Sequence, residues 1–282
     1  MAPRTEPHAE PRPQIRAPAS PGASSYVRAG VKRFFLFFLL AGALAVGAAQ
    51  AQPGSPAPAR VWDTNRNVWL CYFSDANVYR RWGLHTEFQY RRTNGLQDPQ
   101  QYFYRTGVNY AASEKVLLTA GYTYLLSLPY GDYPDPGRTG ERRLYEKVEI
   151  DQAAGRLALA HRYIQDQRWL RPEGQAKFDF QHRSRYRLQL KFPLNRTKIE
   201  PGALYALASD EIFVSYGHNA PNFFNQNRLY GGLGYRLTAA LAVEASYLNQ
   251  VVSHDDNVVY EDNRTVQVSL YFNPDFRPAS QR

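Results

Sequence analysis

The stretch RRWGLHTEFQYRRT, residues 80–93, alternates strictly. Trp82, Leu84, Thr86, Phe88 and Tyr90 share one parity; Gly83, His85, Glu87, Gln89 and Arg91 share the other. A period of two belongs to an extended strand, so this segment has one greasy face and one charged face. Everything else depends on which face turns inward. A water-soluble barrel buries the greasy side, and a membrane barrel buries the charged one.

The pattern recurs along the chain. Residues 178–192 are the cleanest case, with Tyr186, Leu188, Leu190 and Phe192 opposing Arg183, Arg185, Arg187, Gln189 and Lys191. Comparable segments lie at 67–74, 102–112, 115–126, 141–150, 156–168, 203–216, 226–238, 241–251 and 264–272, which makes eleven strands with the two already quoted. No stretch has a convincing helical period. If the charged parity faced lipid, each Lys or Arg near mid-bilayer would cost about 2–4 kcal/mol. Arg183, Arg185, Arg187 and Lys191 together would then cost on the order of 10 kcal/mol, the size of a domain's whole stability. A soluble barrel of about eight strands would be compact, but eleven long ones would enclose a wide cavity lined by tyrosine. The charges are therefore placed in the lumen and the greasy side chains against lipid.

Composition agrees. A bundle of membrane helices needs several apolar runs of about 20 residues, and only 34–49 qualifies in this 282-residue chain. The 21 tyrosines suit the aromatic girdles of a membrane barrel. The single cysteine, Cys71, excludes an internal disulfide and reads as a small hydrophobe. Residues 1–51 hold Arg4, Arg12, Arg16, Arg28, Lys32 and Arg33 against Glu6 and Glu10, a net +4, so about +5 of the total +9 is spread over the remainder. That is no basic block, and no nucleic-acid partner is expected.

Residues 31–52 read VKRFFLFFLLAGALAVGAAQAQ. A basic start, a short apolar core and the small-x-small triplet Ala49-Gln50-Ala51 mark a signal peptide (31–51) cut after Ala51. Residues 1–30, rich in Pro, Ala and Arg, are expected to be disordered, or to precede a true start at Val31. Residues 52–65 read as a flexible lead-in, 66–276 as the barrel and 277–282 as a tail. Short links alternate with longer ones rich in Gly, Pro, Asn and Asp, as periplasmic turns and external loops do. The link PLNRTKIEPG, 193–202, is longer than its turn role predicts. Eleven strands is an odd count, and bacterial barrels are normally even. Either a poorly marked strand at 59–65 makes twelve, the favoured count, or the first strand lies outside the wall and leaves ten. The expected fold is all-β: a transmembrane antiparallel up-and-down β-barrel in the bacterial outer membrane.

GLHTEFQYRR (83–92), AGYTY (120–124), RYIQDQR (162–168), DEIFVSY (210–216), FNQNRLYGGLGY (224–235) and VEASYLNQ (243–250) resemble, in order and spacing, the bacterial family catalogued as domain of unknown function 2490. The likeness covers about 69–272. It implies an outer-membrane β-barrel and supplies no substrate. Asp166 stands where that pattern has Glu.

The inward parity collects Glu87, Arg91, Arg105, Arg143, Lys147, Glu149, Arg162, Asp166, Arg168, Arg183, Arg185, Arg187, Lys191, Glu211, Arg228, Arg236 and Glu244. Buried charges require partners, and arginine can bridge carboxylates with two bonds. The leading reading is a structural or plugged barrel filled by this network. The alternative is a narrow anion-preferring channel, since basic groups outnumber acids. A third reading, a lipid-modifying enzyme, rests on His161 and Ser184, which a turn centred at 172–173 would set opposite each other. Gly107, Gly121, Gly232 and Gly234 leave room for long side chains or permit curvature. Glu146 and Asp210 fall on the greasy parity. The loop acids Asp132, Asp135, Asp255, Asp256, Glu261 and Asp262 read as solvated charge. His85, His182, His218 and His254 lack metal-ligand spacing, and no cofactor is expected. Expected partners are outer-membrane lipid, lipopolysaccharide and the barrel-assembly machinery.

Overall fold

The computed structural model describes residues 59–281. The leader, the signal peptide with its cut after Ala51, and 52–58 lie outside the described residues. Eleven strands form one closed barrel: β1 (Val61–Tyr79), β2 (Trp82–Thr93), β3 (Asp98–Ser113), β4 (Val116–Ser127), β5 (Thr139–Ala154), β6 (Leu157–Pro172), β7 (Asp179–Pro193), β8 (Leu204–Tyr216), β9 (Phe224–Arg236), β10 (Leu241–Ser253) and β11 (Val259–Phe272). Sequence neighbours pair antiparallel throughout. The ring is closed by a parallel seam between β1 and β11, from Val61↔Val259 to Phe73↔Tyr271.

This corrects the expected count of twelve, or ten. An up-and-down ring with only antiparallel pairs must be even; one parallel pair removes that requirement. It also corrects the lead-in. β1 begins at Val61 and runs 19 residues, so 61–65 is neither linker nor extra strand but the start of the first one. Its pattern is weak because both faces are polar there. Asp63, Asn65 and Asn67 are buried inward, while Thr64 and Arg66 are exposed outward, so no hydrophobic alternation marks it.

The opening stretch settles which face is inside. Along β2 the buried residues are Gly83, His85, Glu87, Gln89, Arg91 and Thr93, whereas Trp82 and Leu84 are 51% and 50% exposed. The same holds around the ring. Val108, Tyr122, Leu144, Ile212, Leu233, Tyr247 and Val266 point out, and Arg105, Thr123, Arg143, Asp166, Glu211 and Glu244 point in. Outward rings pair across strands near both rims. Trp82 meets Tyr110 at 4.8 Å at the short-turn end. Tyr90 meets Tyr102 at 5.5 Å, Trp62 meets Tyr260 at 5.6 Å and Trp169 meets Phe180 at 5.0 Å at the long-loop end. Eight residues of β2 separate Trp82 from Tyr90, which at the usual strand rise and a tilt near 40° is about 20 Å along the axis.

Short links sit at 80–81, 114–115, 155–156 and 237–240, and longer ones at 128–138, 173–178, 217–223 and 254–258 on the other rim. The four-residue link 94–97 opens with Asn94-Gly95, both at positive φ (49° and 72°), the backbone that a tight hairpin with right-handed twist demands.

Candidate functional site: the lumen

Eleven strands about 4.8 Å apart and tilted about 40° enclose a cylinder about 22 Å between backbones. Long side chains from facing walls can meet across it, and here they do. Register supplies the nearest contacts: Glu87 lies opposite Arg105, Asp166 opposite Arg183, and Arg187 opposite Glu211. Longer reaches cross the interior. Asp166, fully buried, takes two bonds from Arg183 (3.0 and 3.3 Å) and lies 3.8 Å from both Arg185 and Arg105, the latter three strands away on β3. Arg162 and Arg185 converge on Glu211, each at 2.9 Å. Glu87 holds Arg105 at 3.2 Å and His85 at 3.6 Å, and His85 holds Asp75 at 2.8 Å. Arg143 and Arg168, like charges paired in register, are bridged by Glu141 at 2.6 and 2.5 Å. Lys147 and Arg187 share Glu149 at 2.7 and 3.6 Å. Nearer the short-turn end Lys191 reaches Glu244 on β10 at 2.5 Å, and Tyr205 donates to the same carboxylate at 2.8 Å.

Among the described residues this interior sets Arg91, Arg105, Arg143, Lys147, Arg162, Arg168, Arg183, Arg185, Arg187, Lys191 and Arg228 against Asp63, Asp75, Glu87, Glu141, Glu149, Asp166, Glu211, Glu244 and Glu261, eleven bases to nine acids. Aromatic rings take up part of the excess. Arg105 lies 4.6 Å from the Tyr145 ring centre and Arg185 4.5 Å from that of Phe213.

Two expected members behave differently. Arg236 ends β9 at the short-turn rim, where its guanidinium finds the Ala239 carbonyl of the turn; it is not part of the ion-paired interior. Arg228 lies inside but makes no ion pair among the described residues, and its Nε has no hydrogen-bond partner there. Conversely Asp75 and Glu141 are anchors that the list of inward charges lacked. Glu141 stands two residues before Arg143, so its parity was available. Asp75 was hidden because β1 continues past Ser74, where its apolar run ends. The inward aromatics Trp69, Phe103, Tyr145, Tyr205 and Phe213 share the charged parity and broke no pattern, so nothing singled them out.

Two glycines explain how the rings fit. A Cβ on Gly107 would lie 2.6 Å from the Tyr145 hydroxyl, and one on Gly234 would collide with the Tyr205 ring. Both leave room for large inward side chains. Gly121 and Gly232 instead admit neighbouring backbone.

The lumen differs at its two ends. Toward the short-turn end Trp69, Cys71, Tyr205, Leu207, Tyr230 and Leu248 form an apolar cluster that reaches from Trp69, opposite Arg91, to Tyr205 at the start of β8, and Ile199 packs against it from the β7–β8 link at the short-turn rim. That inserted side chain accounts for the length of PLNRTKIEPG. At the long-loop end a cavity of about 510 Å³ opens between the loops, with Arg91, Arg143, Arg168, Arg183, Arg185 and Arg228 in its wall. Its mouth is narrowed by the β4–β5 loop: Tyr130 donates to Glu261 on β11 at 2.5 Å, and the Tyr133 amide donates to Asp63 on β1 at 3.4 Å. Burial first, and then the Glu261 carboxylate, pushes the Tyr130 phenol well above its ordinary value. His254 faces the same carboxylate at 2.9 Å, and this bond raises its pKa above 6.5.

The outer face carries the remaining candidates. Ser184 lies opposite Gln165, four residues in register from His161, which lies opposite Leu188. The hairpin turns at 173–178, later than expected, so the two are not set side by side. Ser184 instead donates to Gln165 at 2.6 Å, and His161 meets the Tyr186 hydroxyl at 2.9 Å. Glu146 and Asp210 do face outward, and each accepts an amide hydrogen bond, from Gln167 at 3.1 Å and Asn227 at 2.7 Å.

No curated protein and no solved structure matches the chain. Residues 66–261, nearly the whole wall of the barrel, match the family model described as Protein of unknown function (DUF2490), and the chain belongs to that family.

Proposed function

We propose that this chain is an integral protein of the bacterial outer membrane whose lumen is closed, a structural or plugged barrel rather than a conduit. The outward belt of Leu, Val, Ile and Tyr, bounded by aromatic pairs about 20 Å apart, supports insertion, since a lipid-facing band flanked by such girdles is what a spanning barrel needs. One observation carries the closure. Ion pairs join distant strands through the interior, Arg105 on β3 to Asp166 on β6 and Lys191 on β7 to Glu244 on β10, and an apolar cluster with Ile199 packed against it lies toward the short-turn end. An ion would have to displace paired charges to pass. The long loops then face outward, toward lipopolysaccharide, and the short turns face the periplasm. Assembly follows export past the signal peptide and insertion by the barrel-assembly machinery.

The cationic excess favours a second reading, an anion-preferring channel. It requires a continuous path, and the cross-lumen ion pairs oppose one. The test is conductance of the purified chain in planar bilayers, alongside fractionation of cells producing it. The expected result is recovery with the outer membrane and no steady conductance. Reproducible anion-selective steps would replace the plug with the channel, and a folded, detergent-free soluble protein would end both.

A further inference from the structure

Trp69 sits where two guanidiniums meet without a counter-ion. Arg91 lies 4.0 Å from its ring centre and Arg228 5.2 Å from the same centre. Neither has a carboxylate within ion-pair distance among the described residues. Arg91 spends its donors on neutral amides, Gln89 at 2.9 Å and Gln101. Arg228 rests on Phe213 at 4.9 Å, and its Nε is unpartnered. The nearby acids are already engaged: Glu87 by Arg105, Glu141 by Arg143 and Arg168, and Glu211, which stands opposite Arg228 in register, by Arg162 and Arg185. Both guanidiniums line the 510 Å³ cavity, which is open at the long-loop end and of a size that takes a small ligand.

Buried like charges held together without a counter-charge are unfavourable unless something supplies one. Planar guanidinium forks match the oxygens of a phosphate or carboxylate. The rest of the wall is rich in amides, among them Gln100, Gln226 and Gln250, which suit hydroxyl groups. Asp135, Asp255 and Glu261 stand at the mouth and disfavour extended polyanions. We propose that this vestibule is a binding site for a small soluble solute bearing one compact oxyanion, a phosphate ester of a hydroxylated molecule being the best fit, with the anion held between Arg91 and Arg228 over Trp69. The site does not depend on whether the lumen conducts.

The test is a titration of the full chain in zwitterionic detergent with inorganic phosphate and glycerol 3-phosphate, with chloride at matched ionic strength as control. Indole fluorescence and calorimetry are the readouts. Both phosphates should give a saturable change that chloride does not, the ester binding more tightly. The Trp69→Phe variant should lose the optical signal. Arg228→Gln should weaken binding about tenfold or more, the worth of a charge-assisted bond, and Arg228→Lys, which keeps the charge but not the fork, should fall between. Arg236→Gln, at the rim, should bind as the parent does. A response equal to that of chloride, or undiminished in Arg228→Gln and Arg91→Gln, overturns the site. So does a response seen only with phosphatidylglycerol in the micelle, which would make the occupant a lipid headgroup.

Discussion

Asp166 and Trp69 are both fully buried, and each is a meeting point of arginines. At Asp166 a carboxylate gathers Arg183, Arg185 and Arg105 within 3.0–3.8 Å. At Trp69 an indole gathers Arg91 and Arg228, and among the described residues no carboxylate is ion-paired with either. A ring face attracts a cation by about 0.5–2 kcal/mol, whereas losing one partner of a buried ion pair costs about 3–5 kcal/mol. The first arrangement is self-sufficient and spans the wall. The second leaves charge uncompensated beside a cavity. One parity of one alternating pattern thus produces an ion-paired clamp in one place and a pair of arginines over an indole in another. What separates them is whether a carboxylate closes on the guanidinium: Glu211 stands opposite Arg228 in register but pairs with Arg162 and Arg185.

The largest effect should come from the clamp. Asp166→Asn leaves three guanidiniums without their shared counter-charge and should lower stability by about 3–5 kcal/mol, read as a fall in the urea midpoint of the detergent-refolded barrel. A loss below about 1 kcal/mol would mean that solvent already screens the interior, and the comparison with Trp69 would lose its force. Arg228→Gln should act with the opposite sign. In buffer without oxyanions it removes a buried, unpaired charge, so stability should stay level or rise by about 1 kcal/mol. If Arg228→Gln destabilises as much as Asp166→Asn, the guanidinium is part of the clamp and the vestibule has no spare charge.

Much of this was legible beforehand, for a physical reason. A wall with an apolar outer face and a polar interior puts opposite chemistry on alternate residues, so GLHTEFQYR and RSRYRLQLK declare their orientation. The alternation fails where that contrast fails. Asp63, Asn65 and Asn67 face in while Thr64 and Arg66 face out at the loop rim, and the start of β1 passes for linker. The strand number was misjudged because evenness was assumed; no residue announces a parallel seam, which depends on Val61 meeting Val259 across the whole chain. The network was readable only as a set of inward charges. Parity says that Arg228 and Arg183 both point in. It does not say that Asp166 closes on Arg183 while Glu211, opposite Arg228, is taken by Arg162 and Arg185, because that requires the register of β6 to β7 and of β8 to β9 and the reach of each side chain. The Ser184–His161 pairing failed on the same ground, a hairpin turn placed about two residues too early.

The mildest contrast lies at the mouth of the vestibule, and it is set by pH. His254 holds Glu261 at 2.9 Å, with Tyr130 on the other oxygen of that carboxylate. Asp135 from the β4–β5 loop and Asp256 from its own loop add negative potential. The hydrogen bond to Glu261 raises the His254 pKa above 6.5. A raised value means that the folded state holds the proton more tightly than the unfolded one, so this latch contributes fully below about pH 6.5 and is lost as pH rises through the folded value. The backbone of the loop stays tethered in either state, because Asn222 donates to the His254 carbonyl at 2.7 Å. The change is therefore local. Amide exchange of 254–258 should accelerate between about pH 6 and about pH 8.5 beyond the intrinsic base-catalysed increase, while the strands keep their protection. His254→Gln should lose that excess and exchange fast throughout. Equal protection of the loop across the range in the parent chain would show that Glu261 is held by Tyr130 and Asn263 alone. The mouth of the cavity would then be as fixed as the clamp beneath it.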